Sequence, residues 1–206
     1  MRFQLREKHI EIYTAFLLAF ASLVAAWCAY QAAAWSGEQT VYGAVVANRR
    51  LEASRALARS GQLEIVDALQ YAQWLEAYRG GDTALANYLR ARFRDEFRPA
   101  FEAWVKLDPE NNPDAPLPFE LPEYTRALLD EANAAEAAAM QAAQDVERAN
   151  ANSSAYVRDT LFTAMTLFLG AIAGRFAYPV VRYSLLLMAT IMLVLGVVNA
   201  AMLPLV

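Results

Sequence analysis

The sequence predicts an all-α membrane protein with three transmembrane helices, a long helical-hairpin, coiled-coil-like extracytoplasmic stalk and a small cap. Residues 12–37 carry no charge and are mostly apolar, and residues 160–206 carry only Arg175 and Arg182. The 122 residues between these blocks are water-compatible and rich in helix formers. An apolar helix of about 20 residues, at about 1.5 Å per residue, crosses the hydrocarbon core of a bilayer.

The charge pattern divides the chain into alternating membrane and aqueous segments. We expect a cytoplasmic N-terminus at residues 1–9, a first span at 10–35, an extracytoplasmic helical domain at 36–157, a second span at 158–176, a cytoplasmic hairpin at 177–182 and a third span at 183–206. Within the helical domain, we expect long antiparallel helices at 36–79 and 122–157, with the cap and a Pro-rich loop at 82–121.

Basic residues decide the predicted orientation. Arg2, Arg6 and Lys8 precede the first block, and Arg175 and Arg182 fall between the second and third predicted spans. Cytoplasmic loops are enriched in Lys and Arg, so we expect both groups in the cytoplasm. The helical domain and the C-terminus then lie outside, and the opposite orientation is the alternative.

Two seams of mostly small residues predict a contact between the stalk helices. Both repeat every three or four residues, which is typical of supercoiled helices, and small side chains let backbones approach closely. Chance in an Ala-rich chain is the alternative. The first seam is Ala15, Ala19, Ser22, Ala26, Ala29, Ala33, Gly37, Thr40, Ala44, Ala47, Leu51, Ser54, Ala58, Gly61, Ile65, Ala68, Ala72 and Leu75. The second seam is Leu128, Ala132, Ala135, Ala139, Ala142, Val146, Ala149, Ser153, Tyr156, Thr160, Thr163, Leu167, Gly170 and Gly174.

Helix start and stop signals organise the cap. Gly80 and the glycine after it end the first long helix, and Asp82 is a suitable N-cap for a helix reaching about Phe97. Pro99 opens a short helical piece, and Pro122 is suited to the first position of the next long helix. Ser36 and Gln39 also have capping-box spacing, which would start a fresh helix near residue 36.

Four segments carry a resemblance to known proteins. They are residues 35–39 (WSGEQ), 97–104 (FRPAFEAW), 112–116 (NPDAP) and 118–124 (PFELPEY). In these segments and in layout, the chain resembles a group of uncharacterised bacterial inner-membrane proteins. The resemblance covers most of the chain and implies a location in the bacterial inner membrane, but no established activity.

The composition argues against catalysis and against nucleic-acid binding. His9 is the only histidine and Cys28 the only cysteine, so metal clusters built on these residue types are not expected. We therefore expect a non-enzyme with no catalytic residue, no cofactor and no metal. Residues 31–157 hold 19 acidic and 12 basic residues, which gives no basic face for a nucleic acid. A divalent-cation site made from carboxylates at a subunit junction stays open.

Polar residues in or beside the predicted spans are the candidates for an ion pathway. Glu11 borders the first span. Thr160 and Thr163, which come after Asp159 in the chain, belong to the second seam. Asn199 lies in the third span and needs a partner helix or water. Ionisable residues within membranes are functional by default, although interface anchoring explains Glu11 and bonds to their own helix explain the threonines.

Two further groups are candidates for packing and for partner binding. Gly170 and Gly174 form a small-xxx-small pair that predicts a close helix contact in the second span. The candidate partner contacts are the apolar aromatic residues of the predicted cap and of the segment after it: Phe101, Trp104, Phe119 and Tyr124.

These features favour a non-enzymatic homo-oligomeric integral membrane protein, with an ion channel or pore as its sharper form. The alternative is an accessory or scaffolding membrane subunit that binds a partner through its extracytoplasmic helical domain. The expected partners are the lipid bilayer, further copies of the chain and a membrane or periplasmic protein, with no nucleic acid.

Overall fold

The structure, a computed structural model, describes residues 2–112, 114–176 and 178–206, with side chains from Lys8 onward. These ranges form helices and contain no strand, which confirms the all-α prediction. The side chains of Arg2 and Arg6, and residues Pro113 and Ala177 of the predicted loop and hairpin, lie outside this description. The helices are α1 (Arg2–Arg79), α2 (Thr83–Arg90), α3 (Arg98–Lys106), α4 (Ala127–Ala173) and α5 (Pro179–Met202), with a 3₁₀ turn at Pro118–Glu120.

The chain divides into two packed units. The terminal unit comprises residues 1–45 and 141–206, and the central unit comprises residues 46–140. In the terminal unit, apolar side chains of α1, α4 and α5 form the core, among them Leu17, Ala21, Leu169, Leu186 and Leu193. The central unit has its own core, which is mostly aromatic.

Helix α1 continues without interruption through the WSGEQ segment. The alternative of a break near Ser36 is therefore wrong, and the Thr40 hydroxyl donates to the Ser36 carbonyl oxygen at 3.0 Å within the helix. The predicted stop at the glycine pair is confirmed. Gly81 adopts φ +77°, and the Asp82 amide donates back to Ala77 O at 3.0 Å, as in a left-handed C-terminal cap.

Two helices, α1 and α5, are long and apolar enough to cross a membrane. The uncharged stretch at the end of α4 is shorter, because it covers only residues 160–173. These 14 residues extend about 21 Å as a helix, against about 30 Å for the hydrocarbon core.

The cap helices begin as predicted, but the first of them ends earlier than predicted. Asp82 caps α2 by accepting from the Leu85 amide at 3.0 Å, and Pro99 lies in the first turn of α3. However, α2 ends at Arg90 rather than near Phe97. The chain turns after α2, and this brings both Phe93 and Phe97 into the aromatic core.

Helix α4 does not begin at Pro122 as predicted, but five residues later at Ala127. Residues 124–126 lack helical structure, and the Thr125 amide donates across to Glu96 O at 3.4 Å. This irregular segment turns the Tyr124 side chain into the core, where it is buried. The tertiary position of one side chain therefore overrode a favourable local start signal.

The predicted contact between the two seams is wrong, because the second seam is mostly buried and the first is mostly exposed. Thirteen of the fourteen residues in the second seam are buried or half-buried, whereas Gly174 is exposed. Most of the first seam is exposed, because α1 buries a different face. That buried face includes Gln31, Ala53, Asp67 and Trp74. The prediction assumed that a packed helix face carries no charged residue. It therefore excluded the face of α1 that is buried, because Asp67 lies on that face.

Candidate functional site

Among its described side chains, the terminal unit buries one carboxylate, that of Asp159 on α4. Its Oδ1 accepts a hydrogen bond from Asn199 Nδ2 of α5 at 2.5 Å, and its Oδ2 has no partner among the described residues. None of the ion pairs found among the described side chains includes Asp159. A carboxyl group is therefore enclosed between α4 and α5 with only a neutral amide to bind it.

Helix geometry explains why Asp159 faces inward while its neighbour does not. Arg158 is exposed, because successive residues of a helix point about 100° apart. Asp159 instead shares the buried face with Tyr156 and Thr163, three residues before it and four after it. The adjacent basic residue is thus directed away from the buried acid.

Polar side chains of α1 and the C-terminal tail extend this region. The Ser153 hydroxyl donates to Ala32 O of α1 at 2.9 Å. Pro204 O accepts from Trp35 Nε1 at 3.0 Å and from the Tyr156 hydroxyl at 3.3 Å. Together with buried Gln31, these groups fasten the tail to α1 and α4 at the same end of the unit as Asp159.

The threonines of α4 use their hydroxyls within the protein. Thr160 Oγ1 donates to Val157 O at 2.6 Å, and Thr163 Oγ1 donates to Thr160 O at 2.9 Å. Thr163 is fully buried, as is Thr166, whose hydroxyl lies 2.9 Å from Phe162 O and 3.2 Å from Ala189 O of α5. A role for Thr160 and Thr163 in a pathway stays a prediction, with the Thr163 oxygen as a second buried polar atom on the Asp159 face.

The structure places two of the sequence candidates beside Asp159 and a third away from it. Asn199 of α5 donates a hydrogen bond to Asp159, and Thr163 lies one helical turn after Asp159 on the buried face of α4. Glu11 lies on the exposed surface of α1, where nothing joins it to the Asp159 region. The sequence did not reveal the pairing of Asp159, because its partner is 40 positions away in the chain.

Glycines allow the three helices of the terminal unit to pack closely. A Cβ atom on Gly170 would lie 2.7 Å from Leu18 Cδ2, so α1 approaches α4 at this glycine. Gly174 has no such neighbour on another helix. Gly196 of α5 was not singled out from the sequence, yet a Cβ there would lie 3.1 Å from Phe162 Cβ of α4. It sits one turn before Asn199 and allows the approach that joins Asn199 to Asp159.

The central unit buries a second aspartate, which is differently paired. Asp67 Oδ2 accepts from Arg94 Nη1 at 2.8 Å and from the Tyr124 hydroxyl at 2.9 Å. Burial raises the pKa of Asp67, although both donors lower it in part. Burial, and then the bond to Asp67, raises the pKa of Tyr124. This arrangement ties α1 to the segment between α2 and α3 and to the segment after the 3₁₀ turn, and it has the character of a structural ion pair.

The candidate partner contacts lie mainly inside the central unit. Phe101, Trp104 and Tyr124 are buried in the aromatic core, and Phe119 is half-buried against it. Phe97 and Phe119 stack with their ring centroids 5.1 Å apart. These rings therefore stabilise the unit rather than present a free surface, and their sequence spacing did not distinguish the two roles.

An open pocket of about 430 Å³ adjoins this core. Trp104 borders it, so one of the four predicted contacts remains reachable from outside. The pocket is formed by α1, α2, α3 and the loop after α3, and it combines aromatic and charged groups. Its lining includes Tyr71, Trp74, Tyr78, Arg79, Arg90, Trp104, Asp108 and Glu110.

The described side chains contain no group of three or more His, Cys, Asp or Glu residues that could hold a metal ion. The class defined by the fold and this site is an all-helical protein with two helices able to cross a membrane and a buried, unpaired carboxyl in its terminal unit. Comparisons with protein-family models, with curated proteins and with solved structures gave no match.

Proposed function

We propose that this chain is a non-enzymatic integral protein of the bacterial inner membrane that forms a homo-oligomer and provides a pathway for ions. The observation that carries the proposal is the buried carboxyl of Asp159, which among the described residues is bound only by the neutral amide of Asn199. Acidic residues within membrane-spanning helices are costly and mark ion or proton pathways. The proposed topology has a cytoplasmic N-terminus, with the helical domain and the C-terminus outside.

The surface of α4 supports a third span beside α1 and α5. Leu161, Met165 and Phe168 are spaced by four and three residues, so they share one face, and all three are exposed. Such a row is costly in water and suited to lipid. Arg158 can extend its side chain along the helix toward the headgroups, which lets the span include Asp159.

The unused seam of α1 supports the homo-oligomer. In the central unit, Leu51, Ala58 and Ile65 lie at heptad spacing on an exposed, charge-free face. The chain buries the opposite face of this helix, through Ala53, Ala56 and their neighbours. A second copy of the same helix can pack on a small-residue face of this kind, as in coiled coils.

Reconstitution tests the pathway and the oligomer together. Purified protein in liposomes should carry an ion under an imposed gradient, with H⁺, Na⁺, K⁺, Ca²⁺ and Cl⁻ tested in turn. Asp159→Asn should abolish the flux, while Glu147→Gln, an exposed acid of the same helix, should retain it. If the folded wild type conducts none of these ions, the proposed ion pathway is wrong. If native mass spectrometry shows a monomer, the proposed homo-oligomer is wrong.

The accessory-subunit alternative is favoured by a separate observation, the open pocket of the central unit. Val105 at its edge is exposed, so Val105→Arg should block the pocket without disturbing the core. If the chain serves a partner, a stoichiometric hetero-complex should survive mild detergent and be lost in this variant. Recovery of a self-contained homo-oligomer would instead favour the first proposal.

A further inference from the structure

The carboxyl of Asp159 needs compensation that the described protein groups do not supply. Burying an ionised carboxylate without a counter-charge is strongly unfavourable, so such a group binds a cation or takes up a proton. The Asn199 amide donates one hydrogen bond to Oδ1 but carries no charge. Oδ2 remains without a partner in the described part of the chain, which identifies the atom at which compensation is needed.

The described titratable groups around Asp159 do not provide positive charge. Cys28 from α1 and Tyr156 from α4 are both buried and lie close enough for electrostatic interaction with the carboxyl. A thiol and a phenol are either neutral or negative. The contacting residue of α5, Asn199, is neutral, and Arg158 is exposed on the other side of α4.

The surrounding atoms suit a proton better than a metal ion. A metal cation would need several oxygen ligands around it, whereas the described residues form no group of three or more His, Cys, Asp or Glu side chains here. A proton needs a single lone pair, and Oδ2 has one free. Asn199 suits both protonation states, since its amide offers an N–H group to the carboxylate and a carbonyl oxygen to the acid.

We propose that Asp159 is a proton-binding carboxyl that carries its proton on Oδ2 at neutral pH and exchanges it with water. This inference rests on the proposed function and deepens it by naming H⁺ as the transported ion. Asn199 is then a positioning residue, which holds the carboxyl between α4 and α5 in both states.

Infrared spectroscopy of the purified full-length chain tests the protonation directly. A protonated carboxylic acid has a carbonyl stretch above the amide I band that shifts in D₂O. At neutral pH we expect this band in the wild type and in Glu147→Gln, and its loss in Asp159→Asn. Asp159→Glu should restore a band at a shifted frequency, which separates loss of the acid from loss of the fold.

Labelling with the apolar reagent dicyclohexylcarbodiimide tests the exchange. The reagent adds to protonated carboxyls, and the adduct is located by peptide mass spectrometry. We expect an adduct at Asp159 that decreases as the pH rises and is unaffected by Na⁺, with none at Asp67, which is paired with Arg94.

Two results would overturn the inference. One is a wild-type spectrum at neutral pH in which no carboxylic-acid band is sensitive to Asp159→Asn, because Asp159 would then be ionised. The other is protection of Asp159 from the carbodiimide by Na⁺, because the site would then hold a metal cation. Neither result depends on flux, so a chain with the band but no ion transport loses the proposed function and keeps the proton site.

Discussion

Each unit of this protein buries one aspartate completely, and the two are paired in opposite ways. Asp67 of the central unit receives hydrogen bonds from a guanidinium and a phenol, both on one oxygen. Asp159 of the terminal unit receives one from a neutral amide. Both carboxyls leave their other oxygen without a partner among the described residues, so the cation is what distinguishes them.

The contrast separates a structural acid from a functional one. Arg94 favours the charged form of Asp67, and removing Arg94 would leave this buried carboxyl without a counter-charge in the aromatic core. Asp159 has no comparable partner in the described part of the chain, so its charge state is free to respond to an ion that enters the site. A buried acid without a cation is therefore the more informative of the two about function.

The largest expected effect comes from removing the cation of the central pair. Arg94→Ala should lower the free energy of unfolding by about 3 kcal/mol, because Asp67 is then buried without a counter-charge. Arg148→Ala is the matched control. It breaks an exposed pair with Asp145 and should cost less than about 1 kcal/mol.

Denaturant titration measures both changes, with hydrogen exchange as the readout of unfolding. Residues 46–140 report on Arg94→Ala, and residues 141–160 report on Arg148→Ala. Equal losses from Arg94→Ala and Arg148→Ala would show that Asp67 gains nothing from its cation, and the contrast with Asp159 would disappear.

Neutralising each aspartate in turn sharpens the comparison. Asp67→Asn should cost about 2 kcal/mol, because charged hydrogen bonds to Arg94 and Tyr124 are replaced by weaker ones. Asp159→Asn should cost less than about 1 kcal/mol, because an amide resembles the protonated carboxyl in shape and polarity. The same titrations apply, and a larger cost for Asp159→Asn would identify it as a structural, ionised group.

The phenol of Tyr124 should make the stability of the central unit depend on pH. Its pKa is raised by folding, so the stabilisation is complete below its ordinary value of about 10 and is lost as the pH rises beyond it. Tyr124→Phe should remove this part of the pH dependence and cost about 1.5 kcal/mol at neutral pH, through loss of the bond to Asp67.

Unfolding free energies measured from neutral to alkaline pH test this prediction. Tyr88→Phe, on the exposed surface of α2, should change the neutral-pH value by no more than about 0.5 kcal/mol. An unchanged alkaline slope in Tyr124→Phe would assign the pH dependence to other groups.

The smallest effect concerns the glycine that brings α5 to Asp159. Gly→Ala in an open helix stabilises by about 0.5–1 kcal/mol, and Gly37 has nothing within 4 Å of an added Cβ. At Gly196 the added methyl would press on Phe162, so the gain should be offset or reversed. Thermal unfolding of Gly37→Ala and Gly196→Ala compares them, and equal stabilisation would show that α4 and α5 are loosely packed.

The sequence was sufficient where a residue acts through its near neighbours. Asp82 as an N-cap, the stop at Gly81 and Pro99 in the first turn of α3 all depend on local backbone geometry. The buried face of α4 was also predictable, because its inward residues are small or apolar over most of its length. These features needed no knowledge of the other helices.

Prediction failed where a distant partner changes the meaning of a residue. The charge of Asp67 marked its face of α1 as exposed, although Arg94 and Tyr124 make burial of that face possible. Tyr124, drawn into the core, also delayed the start of α4. The pairing of Asp159 with Asn199 connects two helices, and the spacing within either one does not reveal it.

The placement of the aromatic residues also gives each unit its own optical signal. Of the four tryptophans, Trp27 and Trp35 belong to the terminal unit, and Trp74 and Trp104 to the central unit. The indoles of Trp74 and Trp104 lie 6.1 Å apart with their planes at 83°, close enough to couple their electronic transitions. The resulting exciton couplet in circular dichroism would report the integrity of the central unit alone, even while detergent keeps the apolar helices folded.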